Sequence, residues 1–384
     1  MKRIYLDYAA TTPVRLEVIA AMFPLLGDAP ANPSSIHAEG RAARAVLDDA
    51  RTRVAGVLGA RPREIIFTGS GSEAIGLAVI GAAHAADRRG RHVVTSVAEH
   101  RAVLRAFDVL EGAGWEVTRL PVDAAGLIDP DAFTAALRPQ TTLASVMLAN
   151  NELGSIAPIA DLAARARRAG VVFHTDAVQA PGLLDLDVGA LGVDLLSISA
   201  HKFYGPKGVG ALYVRSGTPL TAQIVGGSQE FGVRAGTENV AGIAGLALAL
   251  VLADVERRDD PDRLAGLRDR LESHLTASIP GTRVNAAHAP RLPNVSSIAF
   301  ADTPATALLI RLDLEGIAAS AGSACAAGSL EPSHVIRALG LPENYQKGVL
   351  RFSLGHATTA GEVDRVIAIV PPLVAEFRAS AAIV

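Results

Sequence analysis

Lys202 is the residue of this sequence best suited to act as a nucleophilic amine. The chain has 36 basic residues, and lysine occurs only at positions 2, 202, 207 and 347. An arginine stays protonated in a protein, whereas a lysine can lose its proton and become a nucleophile. Lys202 follows the apolar run 193–199, which predicts a buried strand. Ligands of α/β proteins bind at such strand ends, although a surface lysine in a structural salt bridge would fit the same pattern.

A glycine-rich turn, TGSGSEA at 68–74, follows a predicted strand and precedes a predicted helix. Glycines let the backbone approach a ligand closely, and the free amides at a helix N-terminus attract an anion such as a phosphate. The turn also fits the dinucleotide pattern G-x-G-x-x-A, with Glu99 at a suitable distance for a ribose contact. An NAD-dependent oxidoreductase is therefore an alternative, and a structural turn without a ligand is another.

Polar residues follow three other predicted elements. Asp176 ends an apolar strand, where a carboxylate is costly to desolvate unless a cation such as a protonated ring nitrogen pairs with it. Asn150 and Asn151, at another strand end, can bind a phenolic oxygen or a carboxylate. His100 begins a helix. Each has a structural alternative, namely a capping aspartate, an Asn-Asn turn and a helix cap.

Cys325 is the only cysteine of the chain and lies in SAGSACAAGS at 320–329. A lone cysteine is usually a small buried hydrophobe. This segment has no large side chain that would anchor it in a core, so we predict a loop that presents a thiol. A single cysteine also excludes an internal disulfide and a cysteine-cluster metal site, and no metal is expected.

These features fit one cofactor better together than separately. A phosphate at the glycine-rich turn, a protonated pyridine nitrogen at Asp176 and an imine at Lys202 are what pyridoxal phosphate requires. The NAD interpretation explains the glycines but gives no role to Lys202, Asp176 or Cys325.

The elements that position these residues alternate between strand and helix. This pattern predicts an α/β fold, with a large domain at 15–256 whose mostly parallel sheet is covered by helices on both faces. The segment 209–214 follows a short turn and is predicted to be antiparallel. A smaller α+β domain is predicted from 1–14 and 257–384, with the cysteine loop at about 318–331. Thr12 and Pro13 are predicted to begin the first helix.

Composition narrows the class of protein. The chain is 49% hydrophobic and 20% charged, which is ordinary for a globular enzyme. A net charge of −3 and the lack of basic blocks argue against nucleic acid or a membrane as a partner. The N-terminus lacks a signal-peptide core, and the longest apolar run, 240–253, is too short to span a bilayer. A cytoplasmic enzyme is expected.

With these residues in view, the chain resembles a cysteine desulfurase of the NifS/IscS type, in the class-V aminotransferase superfamily of fold-type-I pyridoxal-phosphate enzymes. The resemblance runs nearly end to end. The cysteine-loop sequence is its most specific part and is typical of the long-loop subgroup. The matching motifs are YLDYAATTP at 5–13, NPSS at 32–35, EH at 99–100, NNE at 150–152, DAVQ at 176–179, SAHK at 199–202, RAGTEN at 234–239, GSAC at 322–325 and RFS at 351–353.

The resemblance implies a homodimer that converts L-cysteine to L-alanine and passes the sulfur, as a persulfide on Cys325, to an acceptor such as an iron–sulfur scaffold or a thiolation carrier for transfer RNA. Thr237 would reach the cofactor of the other subunit. The resemblance also implies that Lys202 binds the cofactor covalently and transfers protons, that Asp176 pairs with the pyridine nitrogen and that Gln179 contacts the ring hydroxyl. His100 would stack on the ring, and the phosphate would be bound by Gly71, Ser72, Ser199 and His201. The substrate carboxylate would be bound by Arg351 and by Asn151, which would also contact the cofactor.

Some positions depart from the family pattern. Gly76 stands where asparagine is usual, and Phe231 and Val233 stand where arginines are usual. The changes at 231 and 233 remove positive charge near the expected dimer interface and the mouth of the active site, so they bear on substrate access and partner docking more than on the chemistry. Selenocysteine cleavage and transamination stay open as alternatives within the same superfamily.

Overall fold

The computed structural model describes residues 3–27, 31–258, 261–322 and 331–381. Within these ranges, strands form three sheets. The strands are β1 (Ile4–Tyr5), β2 (Ile65–Thr68), β3 (His92–Ser96), β4 (Glu116–Leu120), β5 (Thr141–Ser145), β6 (Val172–Asp176), β7 (Leu195–Ser199), β8 (Gly210–Val214), β9 (Thr282–Val284), β10 (Val295–Phe300), β11 (Ile317–Ala318) and β12 (Val349–Ser353).

Helices flank these sheets, and α3 continues into α4 through the π-helical turn Leu77–Gly81. The helices are α1 (Leu16–Gly27), α2 (Ala38–Val57), α3 (Gly71–Gly76), α4 (Ala82–Ala85), α5 (Arg101–Gly112), α6 (Pro130–Ala136), α7 (Ile159–Arg168), α8 (Val188–Leu191), α9 (Val240–Glu256), α10 (Pro261–Ser278), α11 (Ala305–Leu314), α12 (His334–Ala338), α13 (Glu343–Gln346) and α14 (Ala360–Ala381).

The large sheet has seven strands in the order β2-β8-β7-β6-β5-β3-β4. Its strands are parallel except β8, which is antiparallel to both β2 and β7. The predicted α/β class and the antiparallel strand are therefore confirmed. Because the sheet is mostly parallel, the carboxyl ends of β2, β3, β5, β6 and β7 meet at one edge, where ligands of such sheets bind.

Both faces of the large sheet are buried along its inner strands, which fits the mostly apolar sequences of β2 and β7. Successive side chains of β7 enter different cores, since Leu196 and Ile198 pack in one apolar cluster and Leu195 packs in another. Helices α1, α2 and α9 pack together on the first face. Helices α3, α4 and α5 cover the second.

The C-terminal part forms a second, antiparallel sheet in the order β12-β10-β9. Its apolar face packs on α10, α11 and α14. The N-terminal strand β1 pairs in parallel with β11, and Leu6 lies in the same cluster. The N-terminal segment therefore packs with the C-terminal part of the chain. The predicted domain limits stay a prediction.

The first helix begins later than the sequence predicts. It starts at Leu16, so the prediction of Thr12 as the N-cap and Pro13 as the first helical residue is wrong. The hydroxyl of Thr12 bonds instead to the backbone of the turn that carries Lys202. A tertiary contact has displaced the local capping role.

Across the part of the chain that the structure describes, helices are either too short or too polar to cross a bilayer.

Candidate active site

A cavity of about 410 Å³ lies where the carboxyl ends of the large-sheet strands meet the N-terminal segment and β12. Many of the residues named from the sequence line it. They are Gly71, Ser72, His100, Asn151, Asp176, Gln179, Ser199, His201, Lys202 and Arg351. Segments far apart in sequence thus supply one site.

One of the predicted residues that the structure describes is not part of this cavity. Thr237 is exposed and does not line it. Cys325 lies outside the described residues.

Lys202 ends the short 3-10 turn Ala200–Lys202, directly after β7. Its Nζ donates hydrogen bonds to the backbone carbonyls of Ala9 at 2.6 Å and Ala10 at 2.7 Å. The amine thus lies at the carboxyl end of a buried strand, and both of these acceptors come from the N-terminal segment.

Asp176 ends β6 and is 3% exposed. Its Oδ1 accepts a hydrogen bond from the amide of Val178 at 2.9 Å. Burial raises the pKa of this carboxyl, and His100 in its protonated form, the amide of Val178 and the charge of Lys202 oppose that rise. A buried carboxylate is stabilised by a cationic donor, so this position suits a protonated ring nitrogen.

His100 caps α5, and its Nδ1 accepts a hydrogen bond from the amide of Ala102 at 3.1 Å. Burial lowers the pKa of this histidine below its usual value, so the ring is neutral at pH 7 with its proton on Nε2. His100 is therefore both the helix cap that was the structural alternative and a residue of the cavity lining.

The glycine-rich turn presents several donors near β7. The hydroxyl of Ser70 caps α3 by accepting from the amide of Glu73 at 3.1 Å, and the amide of Gly71 donates to Ser199 Oγ at 3.3 Å. A Cβ added to Gly71 would lie 2.9 Å from the Cβ of Ser199, which explains why glycine is needed there. Ser72 lines the cavity beside them.

His201 and Lys207 complete this end of the cavity. Burial and the neighbouring charges of Lys202 and Lys207 lower the pKa of His201 to about 4, so its ring is neutral at pH 7 and can donate a hydrogen bond. Sequence analysis gave Lys207 no role. The scarcity of lysine in the sequence was a signal for it, and Lys202 and Lys207 both line this cavity.

Arg351 reaches the cavity from β12 of the small sheet and is 1% exposed. It donates to the carbonyl of Asn151 and to Asp7 Oδ1, each at 2.7 Å. Its Nε is buried and has no hydrogen-bond partner among the described residues. A buried donor without a partner is costly, and a carboxylate ligand would satisfy it.

Glu99 lies behind the cavity and is completely buried. Its Oε1 accepts from Ser96 Oγ at 2.9 Å and from the amide of Met147 at 3.0 Å. Burial raises the pKa of Glu99 to about 8, and the charge of Asp176 adds to the rise. Glu99 does not line this cavity, so the structure gives no support to the ribose role that the dinucleotide alternative gave to it.

The three departures from the family pattern lie away from the cavity lining. The ring of Phe231 lies 5.0 Å from Cζ of Arg51, which forms a buried ion pair with Glu230. Val233 packs against the core on the second face of the large sheet. A Cβ added to Gly76 would meet no atom within 4 Å.

Groups of three or more His, Cys, Asp or Glu side chains arranged to hold a metal are absent from the described part of the chain.

Comparison with known proteins decides the family. The model of the family described as aminotransferase class-V matches residues 4–366. The chain belongs to this family. A cysteine desulfurase IscS from Dictyoglomus turgidum is 48% identical over 379 residues, which cover 98% of this chain and 96% of the relative. The resemblance inferred from the motifs is therefore confirmed.

Solved structures of similar proteins agree with this fold. A NifS-like protein superposes with a TM-score of 0.90 at 34% identity, covering 97% of this chain and 99% of that one. A structure of SspA in complex with cysteine gives a TM-score of 0.81 at 36% identity, covering 91% and 98%. The relatives are pyridoxal-phosphate-dependent enzymes, so the predicted cofactor class is confirmed.

The residues of the cavity fit pyridoxal phosphate. Asp176 is a buried carboxylate that a protonated pyridine nitrogen would pair with, and Lys202 supplies a primary amine. The amide of Gly71 and the hydroxyl of Ser72 lie at a helix N-terminus, which suits a phosphate. The neutral ring of His100 suits stacking on an aromatic ring.

Proposed function

We propose that this protein is a cytoplasmic cysteine desulfurase that converts L-cysteine to L-alanine and carries the sulfur on Cys325. The observation that carries the proposal is that Lys202, Asp176 and Arg351 line one cavity, although they come from the turn after β7, the end of β6 and the middle of β12. The amine, the buried carboxylate and the buried guanidinium are the groups needed to hold the cofactor, activate it and bind an amino acid.

The cofactor, when bound, would supply an electron-withdrawing ring that stabilises negative charge at Cα of the substrate. Asp176 would keep the proton on the ring nitrogen, because a buried carboxylate favours a cation beside it. Lys202 would hold the cofactor and, once released, its Nζ would remove the proton from Cα of cysteine. His100, being neutral, would pack on the ring without competing for the negative charge of Asp176.

The substrate carboxylate would be bound by Arg351 and Asn151. Arg351 is already fixed by Asn151 and Asp7, so little side-chain entropy is lost when it binds. Its Nε supplies the additional donor. Apolar residues on the cavity wall, including Ile75 and Met147, would exclude water from the reacting atoms.

Cys325, as a thiolate, would attack the sulfur of the substrate. A new S–S bond would form while the Cβ–S bond of cysteine breaks, and the electron pair of that bond would stay on the carbon skeleton, which becomes alanine after protonation. Gly322 and Ser333, described residues before and after Cys325 in the sequence, lie near the cavity, which supports this role for Cys325. Ser333 Oγ donates to Glu152 Oε2 at 2.6 Å, and a Cβ added to Gly322 would lie 3.0 Å from the same oxygen. Glu152 directly follows Asn151 of the cavity.

The enzyme would act as a homodimer in which Thr237 contacts the phosphate in the other subunit. An apolar stripe on α1 supports a second copy, because Leu16, Ile19, Phe23 and Leu26 recur at helical spacing and are all exposed. Helix α1 packs on α9, which begins three residues after Thr237. A second copy would bury this stripe and bring Thr237 to a site that it does not reach within one chain.

The persulfide would then pass to an acceptor protein, either an iron–sulfur scaffold or a thiolation carrier. The name of the Dictyoglomus turgidum relative supports the first of these.

Borohydride reduction followed by peptide mapping tests the cofactor site. We expect the purified protein to be yellow and the label to be on Lys202, and Lys202→Ala to lose the label, the colour and turnover. Label on Lys207, the other lysine of the cavity, would contradict the assignment. Alanine and sulfide formed from L-cysteine are the expected products, whereas turnover of selenocysteine alone or transfer of the amino group would indicate the alternative activities.

Mixed dimers test the role of Thr237. Thr237→Val should weaken cofactor binding, because the phosphate loses a donor. Unfolding and refolding this variant together with Lys202→Ala should restore about a quarter of the activity, since half of the dimers are mixed and each has one complete site. Restoration by mixing supports a contact across the interface, whereas failure to restore activity would place Thr237 in its own subunit.

A further inference from the structure

Thr12 contacts both sides of the turn that carries Lys202, which we call the lysine turn (residues 201–204). Its Oγ1 donates a hydrogen bond to the carbonyl of His201 at 3.0 Å and accepts one from the amide of Tyr204 at 2.7 Å. Its amide donates to the same carbonyl of His201 at 2.9 Å. Thr12 is 3% exposed, so no water replaces these bonds easily. One hydroxyl therefore bridges the residues before and after Lys202.

The lysine turn has an unfavourable backbone conformation at Tyr204. Its φ is 66°, in the left-handed region that residues with a Cβ rarely adopt. Such a conformation persists only when neighbours hold it. Besides Thr12, the amide of Arg15 donates to the carbonyl of Tyr204 at 3.1 Å, and the amide of His356 donates to its hydroxyl at 2.7 Å.

The segment that contains Thr12 also contacts the amine itself. Lys202 Nζ donates to the carbonyls of Ala9 and Ala10, three and two residues before Thr12. The backbone of the lysine turn and the end of the lysine side chain are therefore held by the same short segment, 9–15. Because catalysis depends on the placement of reacting atoms to within about 1 Å, a shift of this segment would move the amine by an amount that matters.

We propose that Thr12 is a positioning residue for Lys202, and that its hydroxyl sets the lysine turn so that the amine reaches the cofactor. Thr12 does not line the cavity, so it acts only through the turn. The inference rests on the proposed function, since it takes Lys202 as the residue that binds the cofactor. The side chain must be a hydroxyl, because the position needs a donor and an acceptor on one atom.

The test compares Thr12→Val with Thr12→Ser. Valine keeps the shape but leaves the amide of Tyr204 without a partner, whereas serine keeps the hydroxyl. We expect Thr12→Val to raise the dissociation constant of apo-protein for pyridoxal phosphate about tenfold. It should also move the midpoint of the pH titration of the bound cofactor's visible band by about half a pH unit or more. Thr12→Ser should keep the dissociation constant within about twofold of the wild-type value and leave the midpoint unchanged.

Thr303→Val is the matched control. Thr303 is equally buried, and its Oγ1 donates to the carbonyl of Ala301 at 3.0 Å, outside the cavity. It should lower the melting temperature without changing the affinity or the midpoint. If Thr12→Val also lowers only the melting temperature and leaves the affinity and the midpoint unchanged, the inference is overturned, because Thr12 is then only structural.

Two further outcomes are decisive. If Thr12→Val does not fold, Thr12→Ala removes the same hydroxyl with less steric demand; if neither folds while Thr303→Val does, Thr12 is structural and the inference is overturned. Borohydride mapping of the wild type separates this inference from the proposed function. Label on Lys207 contradicts both, whereas label on Lys202 with an unchanged midpoint in Thr12→Val contradicts this inference alone.

Discussion

Arg351 Nη1 donates a hydrogen bond to the carbonyl of Asn151 at 2.7 Å, and this bond joins the small antiparallel sheet to the loop after β5 of the large one. Nη2 of Arg351 donates a hydrogen bond to Asp7 Oδ1 at 2.7 Å. The guanidinium is thus fixed by two segments before any ligand binds.

Arg351→Lys should raise the KM for L-cysteine about 10- to 100-fold, because an ammonium keeps the charge but cannot contact Asn151, Asp7 and a carboxylate together. The affinity of the apo-protein for pyridoxal phosphate should change little. Steady-state kinetics and a cofactor titration measure the two effects. A variant that loses cofactor affinity and keeps its KM would show that Arg351 acts on the cofactor and not on the substrate.

Asp176→Asn should slow removal of the α-proton about a hundredfold or more, because a neutral amide does not keep a proton on the pyridine nitrogen. Exchange of the Cα hydrogen of L-alanine with deuterated water, followed by NMR, measures this step without sulfur chemistry. Asp194→Asn is the control, since Asp194 precedes β7 at the opposite end of the same sheet. Exchange at the wild-type rate in Asp176→Asn would mean that Asp176 has been given the wrong role.

Cys325→Ser should separate cofactor chemistry from sulfur transfer. The residues that would hold the cofactor line the cavity at the carboxyl edge of the large sheet, apart from the cysteine loop in sequence, so cofactor binding and exchange of the α-proton should stay normal. A serine hydroxyl is protonated at neutral pH and is a far weaker nucleophile than a thiolate, so alanine formation should fall at least about a hundredfold. Product analysis and the visible spectrum measure both steps. Alanine production near the wild-type level would exclude the persulfide mechanism.

Glu99→Gln should change how stability depends on pH. The pKa of Glu99 is raised to about 8 in the folded protein, against a usual value of 4.5, so the folded state binds more protons between these pH values. Its contribution to stability is complete below about pH 4.5 and is lost as the pH rises through 8. Wild type should therefore lose up to about 1.4 kcal/mol per pH unit relative to Glu99→Gln across this window.

Melting temperatures of the two apo-proteins at several pH values test this expectation. Glu17→Gln, at an exposed position of α1, is the control and should show no comparable trend. A difference between wild type and Glu99→Gln that does not vary with pH would mean that Glu99 is ionised in the folded protein.

Local sequence determined most of the elements and the identity of most chemical groups. Strand β7 matches its apolar run, because buried parallel strands read as unbroken apolar segments. Lys202 stood out because lysine is rare in this chain, and Asp176 because a carboxylate at the end of an apolar strand needs a partner. The family and the roles of the other site residues came from matching sequence motifs, because physical chemistry alone does not assign them.

Only the tertiary structure decided which groups meet and which local preferences are overridden. The sequence gives Thr12 the features of a helix cap, yet its hydroxyl bonds to His201, 189 positions away, because that turn offers both a carbonyl and an amide. The carbonyls of Ala9 and Ala10 showed no pattern of their own, since a backbone acceptor is the same in every residue. Hydrophobic periodicity fixes which face of a strand or helix is buried, whereas contacts between distant segments depend on how those faces pack, and this packing is what assembles the site.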